Sequence, residues 1–328
     1  MKMKRTLVSI FLILLIFTFT FFKNLSGQIS GYVISYYHHD FTNDGPKLKN
    51  QYNGITLKRI YFHYKYTLSE KFDTQITFEA NEKNLSPTKN YDIYLKYFWI
   101  RWKNIVPHGD LIFGLSQTPV WTVEENDWGY WSVEKTMFDI HNLGPPSDIG
   151  IAMKGTFDNA GIFGYHLMIG HGNGYKPETD DFKKYYSSFT FKPTKNLLFE
   201  LETDYEKKSS NTAAKTVKGF LSIRSESGLI GFETGRRYDE HLGEKVRQGF
   251  SLFGYRKLHH EFNILLRFDS FNPDRDISLA KERLFILGLD CHPHKDLKII
   301  PNIWINTYKD PELKSDIQGR ITVHFNFI

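Results

Sequence analysis

The residues best placed to do chemistry in this chain are its histidines and the aspartates that flank its polar stretches. His38, His39, His171 and His241 fall in or beside long polar segments, where an imidazole oriented by a carboxylate works as a general base. No nucleophile stands in a recognisable constellation with them, and the single Cys291 has no CxxC partner. His259, His260, His292 and His294 lie in short turn-like stretches and carry the donor type that zinc prefers, although turn histidines are ordinarily solvated. Asp269, Asp274 and Asp276 offer oxygen ligands for calcium without the spacing or the glycine of an EF-hand loop. The stretch GHGNGYK (170–176) lacks the GK[ST] ending and the following helix of a phosphate loop. These patterns lead to the expectation of no catalytic residues, no metal site and no cofactor.

A different chemistry is carried by charges that recur at every second residue. Arg59, His63 and Lys65 alternate with Ile60, Phe62, Tyr64 and Tyr66, and Glu79 shares a parity with Asp73, Gln75 and Thr77 against Phe72, Ile76 and Phe78. Lys184 alternates with Tyr185; Glu200, Glu202 and Asp204 alternate with Phe199, Leu201 and Tyr205; Arg267 and Asp269 alternate with Leu266 and Phe268. Lys218 and Arg224 belong to the same class of inward candidates. Period two marks β-strands with unlike faces. In a soluble sandwich the apolar face would meet a core; in an outer-membrane barrel it meets lipid, and the charged face lines a wet interior.

The ends of the chain favour the second arrangement. MKMKR followed by the apolar run TLVSIFLILLIFTFTFF (6–22) and the small residues Ser26 and Gly27 reads as a secretory signal peptide over residues 1–27, with Leu25 a poor match at the cleavage site. Removing it leaves 38 Lys and Arg against 37 Asp and Glu, so the basic excess resides in the leader and a nucleic-acid partner is not supported. Aromatic residues make up 16% of a chain that has no second apolar run long enough for a membrane helix, which suits strands bordered by aromatic girdles.

The links between alternating segments are short near 69–71, 158–160, 193–196, 225–228, 257–260 and 293–296, and longer near 39–53, 82–90, 121–147, 172–182, 206–214, 238–246, 270–281 and 308–315. Short and long links alternate, with an intermediate one at 103–109, as in an up-and-down barrel with tight periplasmic turns and long external loops. The expected fold is therefore a single all-β transmembrane domain over 28–328, an antiparallel up-and-down β-barrel of about sixteen strands. Its last strand ends on Phe325 and Phe327, resembling the aromatic terminal signal read by barrel-assembly machinery, with Ile328 as a departure. Two features resist this pattern: Pro301 inside LKIIPNIWINTY, and DIYLKYFWIRWK, where both parities carry aromatics.

Gly114, Gln117 and Pro119, the acidic-aromatic stretch that follows, and SDIGI (147–151) resemble the corresponding region of the phosphate-selective porins O and P, and RFDSFNPDRD (267–276) resembles a strand-to-loop passage frequent in that class. The resemblance implies a sixteen-stranded barrel in the outer membrane of a Gram-negative bacterium, often trimeric, in contact with membrane lipids and conducting small solutes or ions. A gated or plugged barrel acting as a binding protein or rim enzyme is the alternative. Phosphate selectivity would need Lys and Arg at a constriction. The long third external loop, 121–147, instead carries Glu124, Glu125, Asp127, Glu134 and Asp139 against Lys135. Folded into the lumen on Trp121, Trp128 and Trp131, it is expected to project its carboxylates into the passage and to confer a modest cation preference.

Overall fold

The computed structural model describes residues 27–42, 45–48, 53–85 and 90–327. Residues 1–26 of the expected signal peptide and the terminal Ile328 lie outside them. Strands β1 (Gly27–Asp40), β2 (Asn53–Thr67), β3 (Phe72–Leu85), β4 (Tyr91–Val106), β5 (Gly109–Gln117), β6 (Ser147–Thr156), β7 (Phe163–Gly170) and β8 (Lys184–Thr194) form one half of a sheet. Strands β9 (Leu197–Lys207), β10 (Ala213–Ser225), β11 (Gly228–Asp239), β12 (Lys245–His259), β13 (Phe262–Asn272), β14 (Glu282–His294), β15 (Leu297–Tyr308) and β16 (Asp316–Phe327) form the other. Each pairs antiparallel with its neighbours, and β1 closes on β16 from Gly31 opposite Phe327 to Asp40 opposite Gln318. The result is a closed sixteen-stranded up-and-down barrel.

Alternation decides the two faces. On β9, Phe199, Leu201 and Tyr205 are exposed outside, while Glu200, Glu202, Asp204 and Glu206 are buried inside. Phe325 points outward beside Phe327 on a strand whose Thr322 and His324 point in. Short connections occupy one end of the barrel and long ones the other; the link expected at 103–109 shrinks to residues 107–108. At the turn 157–162, Asp158 accepts hydrogen bonds from the backbone N–H of Phe163 (2.7 Å) and Ile162 (3.0 Å), and these hold its carboxyl below the usual range.

Both misfits acquire a physical account. The β2 register passes from Ile34–Arg59 to Ser35–Leu57, so Lys58 is a bulge residue. The β3–β4 register likewise passes from Thr77–Tyr97 to Phe78–Leu95, skipping Lys96. An extra residue reverses the parity beyond it. Phe98, Ile100 and Trp102 therefore face outward on one side of Lys96, and Ile93 does so on the other. Pro301 stays within β15 with its side chain outward and Ile321 as its β16 partner. The β14 ladder steps from Gly288–Asn302 to Cys291–Ile299 around it, which spares the missing N–H.

Circular dichroism of detergent-folded protein is expected to be dominated by β signal. Recovery as soluble protein from a detergent-free extract would contradict a barrel with this outer face.

Candidate functional site

The strongest departure from a plain barrel is the chain between β5 and β6. In β5, Gly114 adopts φ +118°, and a Cβ there would stand 2.4 Å from the Phe98 carbonyl oxygen, so only glycine permits the close approach of β4. Pro119 then opens helix α1 (Pro119–Trp128) in its first turn, and Gly129, at φ +67°, closes it by donating to the Glu125 carbonyl at 3.1 Å. A short helix α2 (Met137–Ile140) follows before Ser147 starts β6.

Helical spacing puts Trp121, Glu124 and Trp128 on one buried face of α1, packed towards β7, β8, β9 and β11. Trp128, Tyr130 and Val133 join Phe220, Leu229, Phe253, Leu265, Leu284, Ile286 and Ile300 of the inner wall in one apolar cluster. Val120, Trp121, Met137, Phe138 and Leu143 join Ala152, Met168, Tyr186 and Phe271 in another. Each fully buried apolar side chain of this kind contributes about 1.5–3 kcal/mol. Trp131 reaches the far wall, 4.9 Å between ring centres from Tyr32 and 5.4 Å from His324. The loop is thus inside the barrel, held by the tryptophans.

Polar contacts pin it along its length. Lys58 Nζ donates to the carbonyls of Ser132 (3.2 Å) and Val133 (2.9 Å), Arg237 donates to Leu143 O at 3.0 Å, and Arg267 donates to Lys135 O. The carboxylates do not project together into the passage as expected. Glu124 is wholly buried behind α1, where Lys218 Nζ donates to it and to Val120 O. Asp127 accepts from Ser222 and, at 3.1 Å, from Arg224. Glu134 lies 3.6 Å from Arg320, and Lys135 is paired with Asp139 at 2.6 Å. The correction has a simple cause. The inner wall carries cations, and a carboxylate in a partly dry site is held by the nearest one. Glu125 alone among the loop's expected constriction acids has no ion-pair partner among the described residues. It lies within electrostatic reach of Arg59, Lys96, Lys135 and Asp139.

The lumen residues read from alternation are inside, and several are brought together. Arg59 and Lys96 share Glu79 at 3.1 and 3.3 Å, His63 Nδ1 meets Thr77 Oγ1 at 2.9 Å, and Lys65 follows on the same face towards the short-turn end. Lys184 pairs with Asp204 (3.2 Å) and Glu206 (3.4 Å), while Ser188 donates to Glu200 at 2.5 Å. Arg267 is held by Asp269 at 2.6 Å. Behind α1, Glu200 lies 3.8 Å from the Lys218 ammonium, and Glu202 and Glu233 are fully buried with no hydrogen-bond partner for either carboxylate oxygen among the described residues. Lys58 and Lys96 escaped the sequence reading because bulges turn them inward. Glu233 escaped because the glycines of GLIGFETG dilute the alternation that Ile230 and Phe232 still mark. The rim histidines are tied to wall carboxylates: His38 to Asp40 and His171 to Asp148, each at 3.2 Å. At the short turns, His292 pairs with Asp290 and His294 with Asp296, both within the β14–β15 hairpin.

No family model matches the chain, and no curated protein is similar to it in sequence. Solved structures are similar in fold. The anion-selective porin of Comamonas acidovorans superposes with a TM-score of 0.69 at 12% identity, covering 92% of this chain and 99% of that one. The outer membrane channel DcaP of Acinetobacter baumannii gives 0.68 at 10% identity over 92% and 97%. OmpF of Salmonella typhi, in complex with daunomycin, gives 0.65 at 5% over 92% and 98%. The chain has the sixteen-stranded fold these porins and channels share. At such identities the likeness concerns architecture.

Replacing Lys218 with Met leaves Glu124 and its buried neighbours without their cation, a change of the kind that costs about 3–5 kcal/mol. The thermal midpoint of the folded barrel should fall, and adding Glu124→Gln should restore part of it. Equal midpoints for wild type and Lys218→Met would show that this pair does not hold the loop.

Proposed function

We propose that the protein is an outer-membrane porin, a water-filled channel for passive diffusion of small hydrophilic solutes and ions. The observation that carries this reading is the closed sixteen-stranded barrel whose charged face points inward around a loop pinned across the lumen. Barrels of this size leave an interior too wide to discriminate solutes unless something narrows it. Fold similarity to an anion-selective porin and to an outer membrane channel supports the same reading. Kinship with the phosphate-selective porins O and P rests on Gly114, Gln117 and Pro119, where β5 passes into α1.

The charges left facing one another at the throat are Lys58, Arg59 and Lys96 on the β2–β4 wall against Glu79 and Glu125. Their excess is positive because wall cations hold Glu124, Asp127 and Glu134, and Lys135 of the loop itself holds Asp139. The channel therefore prefers anions modestly, the reverse of what the loop's composition suggests.

Planar-bilayer recording should show conductance steps, with a reversal potential in a KCl gradient displaced towards chloride. Glu125→Gln should strengthen the displacement and Lys96→Gln weaken it, both effects shrinking near 1 M salt, where the Debye length is about 3 Å. Folded protein that inserts without steps would instead favour a plugged barrel with a binding role. A reversal potential unmoved by either substitution would remove these side chains from selectivity.

A further inference from the structure

The outer face of the barrel, which the channel reading assigns to lipid, carries a feature unlike the rest of it. Outward residues of β11 read Ile230, Phe232, Thr234, Arg236 and Tyr238 from the short-turn end to the long-loop end. Phe232 belongs to a row of rings that crosses four strands: Phe232–Phe250 at 6.2 Å, Phe250–Phe268 at 5.8 Å and Phe268–Phe285 at 4.7 Å between centres. The row gives this part of the outer wall an aromatic, apolar surface. Immediately beyond it, on the long-loop side, the wall opens into a notch of about 550 Å³ between β10 and β13.

The notch is lined by Thr234, Arg236, Gln248, Asn272 and Lys281 together with Val217, Tyr238 and Phe250. Its depth comes from an outward glycine. On β10 a Cβ on Gly219, between inward Lys218 and inward Phe220, would meet nothing within 4 Å, so the outer wall is bare there. Arg283, outward and exposed, lies beside it across from Ser270. No carboxylate stands within ion-pair distance of Arg236, Lys281 or Arg283 among the described residues, whereas Lys215, further towards the loops, is paired with Glu240 at 2.9 Å. Unpaired cations on a lipid-facing surface are costly unless they lie at headgroup height and meet an anion.

We propose that this notch binds the phosphate-bearing headgroup of an anionic membrane lipid. Arg236 and Lys281 supply the charge-assisted hydrogen bonds to phosphate oxygens, with Gln248 and Asn272 offering amide donors beside them. The Phe232–Phe285 row takes the upper part of the acyl chains. The guanidinium fits a phosphate in the bidentate manner, and the missing side chain at Gly219 lets the headgroup approach the sheet. The inference rests on the membrane placement of the barrel but not on its conducting anything.

Native mass spectrometry of the folded barrel, released from neutral detergent micelles, tests it. With diphosphoryl lipid A added, one lipid should be retained per chain. Phosphatidylcholine should not be, and millimolar inorganic phosphate should not displace the lipid. Arg236→Gln/Lys281→Gln should lower the retained fraction about tenfold while leaving bilayer conductance unchanged, which also confirms folding. Gly219→Leu, which fills the notch and spares the cations, should weaken retention too and serves if the double variant does not fold. Undiminished retention in these variants, or equal retention of phosphatidylcholine, would overturn the site, and displacement by inorganic phosphate would make it a free-anion site instead. A wild-type protein that retains lipid A but carries no current would refute the channel and leave this inference standing.

Discussion

A strand bordered by hydrocarbon has no water to satisfy its backbone, so every N–H and C=O must find a partner within the protein. Closure of β1 on β16 meets that demand, and the rest of the structure follows from it. A closed sheet has an inside and an outside, period-two sequence must sort itself between them, and the sorting leaves carboxylates and ammonium groups concentrated in one space. The bulges at Lys58 and Lys96 are local exceptions to the ladder with a specific consequence. Each adds a cation to the inner wall at a position where strict alternation would have sent it to lipid.

An interior of sixteen strands is too broad for its own side chains to fill, and the segment between β5 and β6 occupies part of it. The apolar side of this loop does what a hydrophobic core does in a soluble domain, with Trp128 and Phe138 wholly buried against inward-facing strand residues. Its polar side is held by long-range contacts with Lys58, Lys218, Arg224, Arg237, Arg267 and Arg320. These cations come from β2, β10, β11, β13 and β16, so the loop is fastened on several sides of the barrel. Lys218, Arg224 and Arg320 hold loop carboxylates, and Lys58, Arg237 and Arg267 hold loop carbonyls, so most of the loop's acids are engaged by the wall.

The outer face obeys different physics. There the Phe232–Phe285 row gives way to Arg236 and Lys281 over a few residues towards the long-loop end. The same strands that present Glu233 and Arg267 to the lumen thus present a graded surface on their outer side.

The sequence by itself determined the architecture of this protein, because backbone pairing in a two-solvent environment imposes a local, periodic code. Alternation in 197–207, the rhythm of short and long links and the terminal Phe325 and Phe327 sufficed for strand number, facing and closure. The lumen positions of Arg59, Glu79, Lys184, Glu202 and Arg267 were legible for the same reason. What only the tertiary structure decided is which charges meet. Lys218 and Glu124 are 94 residues apart, and nothing in either neighbourhood announces the pairing. The bulges that turn Lys58 and Lys96 inward depend on register with β1 and β3, a relation between strands that no single strand encodes. Faces are local and readable, whereas ion pairs across a barrel depend on how sixteen strands and one loop are placed in three dimensions.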